Sequence, residues 1–477
     1  MKGLKLTVKI VAALLAILIP FVSVPCLALF LPAQFQNTFV GALDDKVERL
    51  SEIDEPKIVV VGGSSVAFGL DSAMLERYTG MPVVNFGLYA ALGTKLMLDL
   101  SEDYINEGDI VILAPELDAQ TLSLYFSAST TLRATDGSPE LLFDIPFEHF
   151  FTLLGSSWDF SSEKISHMIN STAPDPSGVY NSKNFNEYGD IVYDNRYENT
   201  MSMYYDPNTV IDLSPDIVSA DFVEYLNEYI ENCEDSGADV YFSYCPMNLL
   251  ALVDGTTDES IEAFENYLEQ NIDCTFISNA ADYILDPGYF YDTNFHLNDA
   301  GVICRTVNLT RDVLLELGIP TQVREEIPAP PALPESDARD FTEDENAEYF
   351  EFDKLADGSY MIVGVKDEYK SMTALTLPRS YDTYKVTAVG ASAFAGTSLE
   401  QLTIPVDTNI RILMNGSFTG ASSLRSLVIY YPAEADIMPP ADFFGVHESF
   451  TVYVPEGSGY STGYYWSERG LTFEVIE

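Results

Sequence analysis

The sequence predicts an α/β chain: a doubly wound parallel sheet, preceded by a transmembrane helix and followed by a solenoid of short repeats. Three observations carry this expectation. Continuous β-branched runs alternate with helix-like segments through the middle of the chain. An uncharged apolar run follows three lysines at the amino end. Strand-like stretches recur about every 25 residues towards the carboxyl end.

The parallel sheet rests on five short apolar runs, at residues 58–61, 83–86, 110–113, 240–244 and 274–277. Runs of this kind are buried on both faces, as strands of a parallel sheet are. Helices are expected at 72–78, 90–104, 220–235 and 260–270, with a last helix after "YDTNFHLNDAG". Between 147 and 214 the pattern weakens. The stretch "NSTAPDPSGVYNSKNFNEYGD" reads as a long irregular insertion, of the kind that shapes sites in α/β domains. Within it, Asn186 and Asp190 are either sugar contacts or parts of a plain turn.

At the amino end, Lys2, Lys5 and Lys9 precede an apolar stretch over residues 10–31 that holds Pro20 and Pro25 but no charge. That length crosses a bilayer, and lysines before the span keep the amino end inside. A cleaved signal peptide is the rival reading, although its apolar region is normally shorter. The expected organisation is a cytoplasmic tip and anchor at 1–32 and a juxtamembrane helix at 33–56. An α/β domain at 57–318, a linker at 319–348 and a repeat domain at 349–477 follow. The linker "IPTQVREEIPAPPALPESDARDFTEDENAEY" has five prolines and many acids, a composition that stays extended.

The repeat domain rests on "LTLPRS", "LTIPVD" and "LVIYYP", separated by "GASAFAGTSLEQ" and "NGSFTGASSLRS" and followed by "PADFFGVHESF". Each intervening stretch offers a small-residue turn and a phenylalanine expected to be buried: Phe394, Phe418 and Phe444. One strand per repeat at this period marks a leucine-rich-repeat solenoid, whose repeats bury their faces only by stacking. The segment resembles the BspA-like leucine-rich repeats of bacterial surface proteins. A small β-sandwich is the alternative.

Composition excludes some classes. The chain carries 74 acidic against 24 basic residues, a net charge of −50, which argues against a nucleic-acid partner. No metal-ligand spacing is visible, so neither a metal nor another cofactor is expected. Outside the anchor stand Cys233, Cys245, Cys274 and Cys304. They allow three pairings or none, and spacing does not choose among them.

Chemistry is expected beyond the carboxyl ends of the strands. The first strand runs into "GGSS", residues 62–65; the second ends at Gly87; the third runs into Pro115 and Glu116; the fourth leads to Asn248. Before the last helix come Asp292 and His296. A serine nucleophile needs an imidazole, and the imidazole needs a partner on its far nitrogen. Of four histidines, only His296 lies beside a carboxylate in a loop before a terminal helix. The competing reading of Ser64 is a helix cap in an ordinary strand-to-helix turn. Backbone N–H groups at Ser64 and Gly87 are the expected oxyanion donors.

This order of parts resembles the bacterial SGNH (GDSL-like) hydrolase and acyltransferase superfamily, and more narrowly its membrane-anchored cell-envelope branch. The resemblance spans residues 57–317. It implies Ser64 as nucleophile, with Ser65 as the fallback, His296 as base and Asp292 as its orienting carboxylate. Gly63, Ser65, Gly87, Asn248 and Glu116 fall to the oxyanion and substrate positions. Three departures stand out. Gly63 occupies the place of the family's Asp. The last block is Asp-x-x-x-His, one residue longer than usual. Pro115-Glu116 replaces the third block's Asn, and a carboxylate there hinders an oxyanion unless it is protonated or turned away. Asn248 is the expected substitute donor. The resemblance implies a serine esterase or O-acyltransferase acting outside the membrane on a cell-envelope or exported polysaccharide, with a membrane-bound acyltransferase as a further partner and a repeat domain that binds protein or wall. The alternatives are a catalytically impaired glycan-binding protein and a surface adhesion or scaffold protein.

Overall fold

The computed structural model describes residues 27–201, 203–253, 255–333, 344–432, 437–461 and 469–476, with the single residues 23, 25 and 466. Most of the expected membrane span at 10–31 lies outside the described residues. Among them, no helix is long and apolar enough to cross a membrane. The chain divides into two compact units. One comprises Met1–Thr200 and Val210–Leu333, the other Met201–Thr209 and Pro334–Glu477.

The first unit opens with helix α1 (Leu43–Glu52), then strand β1 (Ile58–Gly62), the short helix α2 (Ser64–Gly69) and helix α3 (Ser72–Thr79). Strand β2 (Val83–Gly87), helix α4 (Thr94–Glu102) and strand β3 (Ile110–Leu113) follow. Helices α5 (Ala128–Ala134), α6 (Phe150–Asn170) and α7 (Ala220–Asp235) precede strand β4 (Asp239–Phe242). Helix α8 (Asp258–Asn271), strand β5 (Thr275–Phe276) and helix α9 (Asp299–Glu316) complete it.

The five strands are parallel, in the order β2-β1-β3-β4-β5. Val61 pairs with Phe86 on one side and Leu113 on the other. The chain leaves β1 towards β2 and returns to place β3 on the opposite flank, so a crevice opens beyond the carboxyl ends of β1 and β3. Every residue of β1 is buried, which is why the run alternates no polar residues. Ile58, Val60, Ile110 and Ile112 share a core cluster with Leu309 and Val313 of α9.

The expected helix at 90–104 begins only at Thr94, because Gly93 at φ 90° interrupts the turn before it. The expected strand at 274–277 shrinks to two residues. The larger correction is α6. Its 21 residues lie in the part of 147–214 where the sequence pattern weakens, just before the stretch read as an irregular insertion. Its buried face is mostly polar (Ser157, Phe160, Ser161, Lys164), and Lys164 reaches Asp136 at 2.6 Å, both buried. Its phenylalanines at the start point outward, so no apolar stripe of helical period marks it. The four cysteines are free thiols, and Cys233, Cys245 and Cys304 are buried.

In the second unit, strands β6 (Phe350–Lys354) and β7 (Tyr360–Val365) form an antiparallel pair. Then come β8 (Ala374–Thr376), β9 (Tyr384–Val389), β10 (Gln401–Ile404), β11 (Ser426–Ile429), β12 (Thr451–Val454) and β13 (Thr472–Val475). Strands β8, β10, β11, β12 and β13 stack in one parallel ladder. Leu375, Leu402, Leu427 and Val452 stand in register, one per repeat, and all are buried. Phe394 and Phe418 stack behind them with centroids 5.8 Å apart. Phe444 does not follow: it is 75% exposed, and Phe443 takes the inward place against Phe418 at 5.1 Å.

Candidate active site

Strand β1 ends on two glycines because two neighbours crowd it. A Cβ on Gly62 would lie 2.5 Å from the carbonyl oxygen of Ala114, and one on Gly63 would lie 2.6 Å from the Glu116 Cδ. Gly63 caps α2 through its backbone, and no side chain caps that helix. The Ser64 hydroxyl is therefore not the helix cap. It lies 2.8 Å from His296 Nε2 and the serine is 7% exposed.

The imidazole is fixed on its other side by Asp292, with Oδ1 2.9 Å from Nδ1. A carboxylate only accepts, so Nδ1 carries the proton and Nε2 is left to accept from Ser64. The longer Asp-x-x-x-His spacing is absorbed by a closed loop. Thr293 Oγ1 accepts from the His296 amide at 3.0 Å, and the Tyr291 amide donates to the His296 carbonyl at 2.8 Å. Asn298 then caps α9, its side chain accepting from the Gly301 amide. Ser64, His296 and Asp292 form one continuous relay across 232 positions of sequence.

Two contacts of this relay have no sequence signal. Tyr180, from the insertion, donates to Asp292 Oδ2 at 2.7 Å. Phe68 of α2 stacks on the His296 ring, with centroids 3.9 Å apart and planes 1° from parallel. The insertion also clamps α2, the helix that carries Ser64, from the β2 side. Asn85 Nδ2 donates to the Val66 carbonyl at 2.9 Å and to Asp190 Oδ1 at 2.8 Å, while Ser72 Oγ donates to the same oxygen at 2.6 Å. Lys46 of α1 closes the network through the carbonyls of Asn85 and Gly189. Burial lowers the Lys46 ammonium and raises the Asp190 carboxyl. Asp190 is thus a buried structural group, and Asn186 Oδ1 accepts the amides of Tyr188 and Asp190 within the turn.

The remaining expected site residues separate. Ser65 is buried, and its amide donates to Glu116 Oε1 at 2.6 Å. Gly87 packs against the Gly63 carbonyl, where a Cβ would lie 2.6 Å away, but its amide donates to Asn85 Oδ1 at 3.2 Å. Asn248 is fully buried in a short strand, and its side-chain oxygen accepts from the Leu250 amide. Glu116 lies against Gly63 and Ser65, the residues on either side of Ser64. Burial pushes its carboxyl above the ordinary range, outweighing the Ser65 amide, which pulls it down. Among the described residues, no group of three or more His, Cys, Asp or Glu side chains converges to hold a metal.

Chemically, the relay can lower the cost of forming a serine nucleophile and return the proton to a leaving group. No protein-family model matches the chain, and no curated protein matches it. Among solved structures it is similar to a leucine-rich repeat protein from Bacteroides capillosus, at 17% identity and a TM-score of 0.18, over 22% of this chain and 94% of that one. It is also similar to the T. pallidum leucine-rich repeat protein TpLRR, at 15% identity and a TM-score of 0.16, over 22% of this chain and 69% of that one.

Proposed function

We propose that the protein is a serine esterase or O-acyltransferase of the SGNH type, acting outside the membrane on a cell-envelope or exported polysaccharide. The observation that carries this reading is the Ser64–His296–Asp292 relay, with both imidazole nitrogens engaged. Ser64 Oγ attacks the ester carbonyl as His296 Nε2 takes its proton. The tetrahedral intermediate expels the alcohol, which leaves with that proton, and the acyl group stays on Ser64. Water or a sugar hydroxyl then attacks the acyl-enzyme with His296 again as base, and release returns the proton to Ser64.

The same reading places the chain on a membrane through its apolar amino-terminal run. Phe143, Phe147 and Phe151 are strongly exposed and Phe150 is nearly half exposed. They flank Leu142 and Leu153, which pack with Leu29 on the cluster of Phe35, Leu132 and Phe160. An apolar face beside the point where the chain leaves that run suits a bilayer interface.

A fluorophosphonate probe on the detergent-solubilised chain tests the chemistry. Labelling is expected in the wild type and in Ser65→Ala, and not in Ser64→Ala. Labelling that survives Ser64→Ala removes the proposal. A second reading, a glycan-binding protein with impaired chemistry, is favoured by the carboxyl of Glu116 beside the nucleophile. It predicts an unlabelled wild type that still binds polysaccharide.

A further inference from the structure

The relay supplies a nucleophile and a base, but the expected oxyanion donors are incomplete. The Gly87 amide is directed to Asn85 Oδ1 at 3.2 Å, and the Asn248 side-chain oxygen is used in a turn. Beside Ser64 there is instead a carboxyl. Glu116 follows β3 and is 2% exposed. Its Oε1 accepts the Ser65 amide, while its Oε2 is buried without a well-aligned hydrogen bond among the described residues; the Ser65 hydroxyl, also buried and unaligned, lies near enough to draw the carboxyl down. That second oxygen lies on the bare Cα of Gly63, the residue before the nucleophile.

An ionised carboxylate with one oxygen left unpaired in a closed site is costly. A neutral carboxylic acid fits the same contacts better: Oε1 accepts from Ser65 as a carbonyl oxygen, and Oε2–H remains free to donate. The charged and titratable groups facing it are Asp118, the Cys245 thiol and Arg305 of α9. Arg305 directs Nη1 to the Ser65 carbonyl at 2.6 Å; it makes no direct salt bridge to Glu116 among the described residues, although a negative charge on Glu116 stabilises its buried guanidinium and so opposes the effect of burial on the carboxyl. Burial raises the Glu116 carboxyl, and Asp118 raises it further.

We propose that Glu116 is held as a neutral carboxylic acid and that its Oε2–H donates to the oxyanion formed when Ser64 attacks an ester. The role rests on the serine-hydrolase reading above and takes the place of an amide donor. The proton stays on Glu116 throughout; only a hydrogen bond forms and relaxes as the tetrahedral oxygen gains and loses charge. Activity is then present while Glu116 is protonated and falls as pH rises through its elevated pKa.

The test compares wild type, Glu116→Gln and Glu116→Met on the full, detergent-solubilised chain, following p-nitrophenyl acetate hydrolysis against pH. Gln keeps both roles, accepting from Ser65 and donating from its amide, so activity is retained and the alkaline decline disappears. Met keeps the volume without the donor, and kcat is expected to fall by about 10²–10³-fold with KM little changed. Difference infrared spectra of wild type against Glu116→Gln at neutral pH should show a protonated carboxyl band, whether or not the Met variant folds. Absence of that band overturns the proposal, as does a folded Met variant with wild-type kcat. A Gln variant much faster than wild type also overturns it, because it would mark Glu116 as an ionised brake. If no variant hydrolyses the ester and a fluorophosphonate leaves Ser64 unlabelled, the serine-hydrolase reading fails and this role falls with it. A labelled Ser64 beside an unaffected Met variant removes only the role of Glu116.

Discussion

At the residue scale, Asp292 is held at both carboxylate oxygens, by His296 Nδ1 on one and the Tyr180 hydroxyl on the other. Replacing Asp292 by Asn reverses the donor on Nδ1 and leaves Nε2 protonated, unable to accept from Ser64. A fall of about 10⁴-fold in kcat is expected. Tyr180→Phe removes one hydrogen bond to a charged group, which contributes about 1.5–3 kcal/mol. It should lower kcat by roughly tenfold to a hundredfold with KM unchanged, as steady-state kinetics would show. Wild-type turnover by Asp292→Asn would detach the carboxylate from the proposed chemistry. The two residues differ in legibility. Histidine is scarce here, with four in the chain, so His296 beside Asp292 stood out. Tyr180 and Phe68 are two among 29 tyrosines and 28 phenylalanines. An aromatic ring in a loop carries no local mark that separates a ring on the imidazole from one in the core. The engagement of Gly87 by Asn85 was equally invisible, because it depends on a side chain turning back along its own strand.

At the element scale, the turn between β1 and α2 contains two adjacent glycines with different duties. A Cβ on Gly62 meets backbone, the Ala114 carbonyl of the neighbouring strand segment, which cannot yield without separating the sheet. A Cβ on Gly63 meets the end of a side chain, Glu116. Gly62→Ala is therefore expected to lower the melting temperature and the soluble yield. Gly63→Ala is expected to fold near normally but to lose ester hydrolysis, because Glu116 must leave its place beside Ser64. Thermal melts paired with kinetics separate the two, and equal melts for both variants would contradict the assignment. The strands were legible because burial on both faces writes itself as uninterrupted β-branched runs. Helix α6 was legible only as a polar, helix-like stretch around His167, since its inward face is built on serines and the Lys164–Asp136 pair, which leave no apolar stripe to fix its bounds.

At the scale of the whole molecule, the repeats were legible wherever the ladder is strict, with Leu375, Leu402 and Leu427 in register. They misled at Phe444, where the neighbouring Phe443 turns inward instead. Nor did anything local indicate that Met201–Thr209 belongs to the second unit, where Met203 packs with Ala388 and Ile412; a short polar stretch far away in sequence has no periodicity to match. Charge and apolar surface are also distributed unevenly. A net charge of −50 repels anionic surfaces, so electrostatics cannot bring this chain to lipid. The exposed ring group at 143–151 is the contact expected under the membrane reading, with Phe143 89% exposed and Phe147 stacked on Phe150 at 5.4 Å. Full burial of one such side chain contributes about 1.5–3 kcal/mol. A chain lacking residues 1–26 is therefore expected to sediment with phosphatidylcholine vesicles, with little dependence on salt. Replacing Phe143, Phe147, Phe150 and Phe151 together by Ser should abolish that sedimentation and leave ester hydrolysis in solution unchanged. Retention of binding in the fourfold variant would move the membrane contact elsewhere. Absence of binding in the parent, together with concentration-dependent self-association lost in the fourfold variant, would assign the rings to a second copy of the chain.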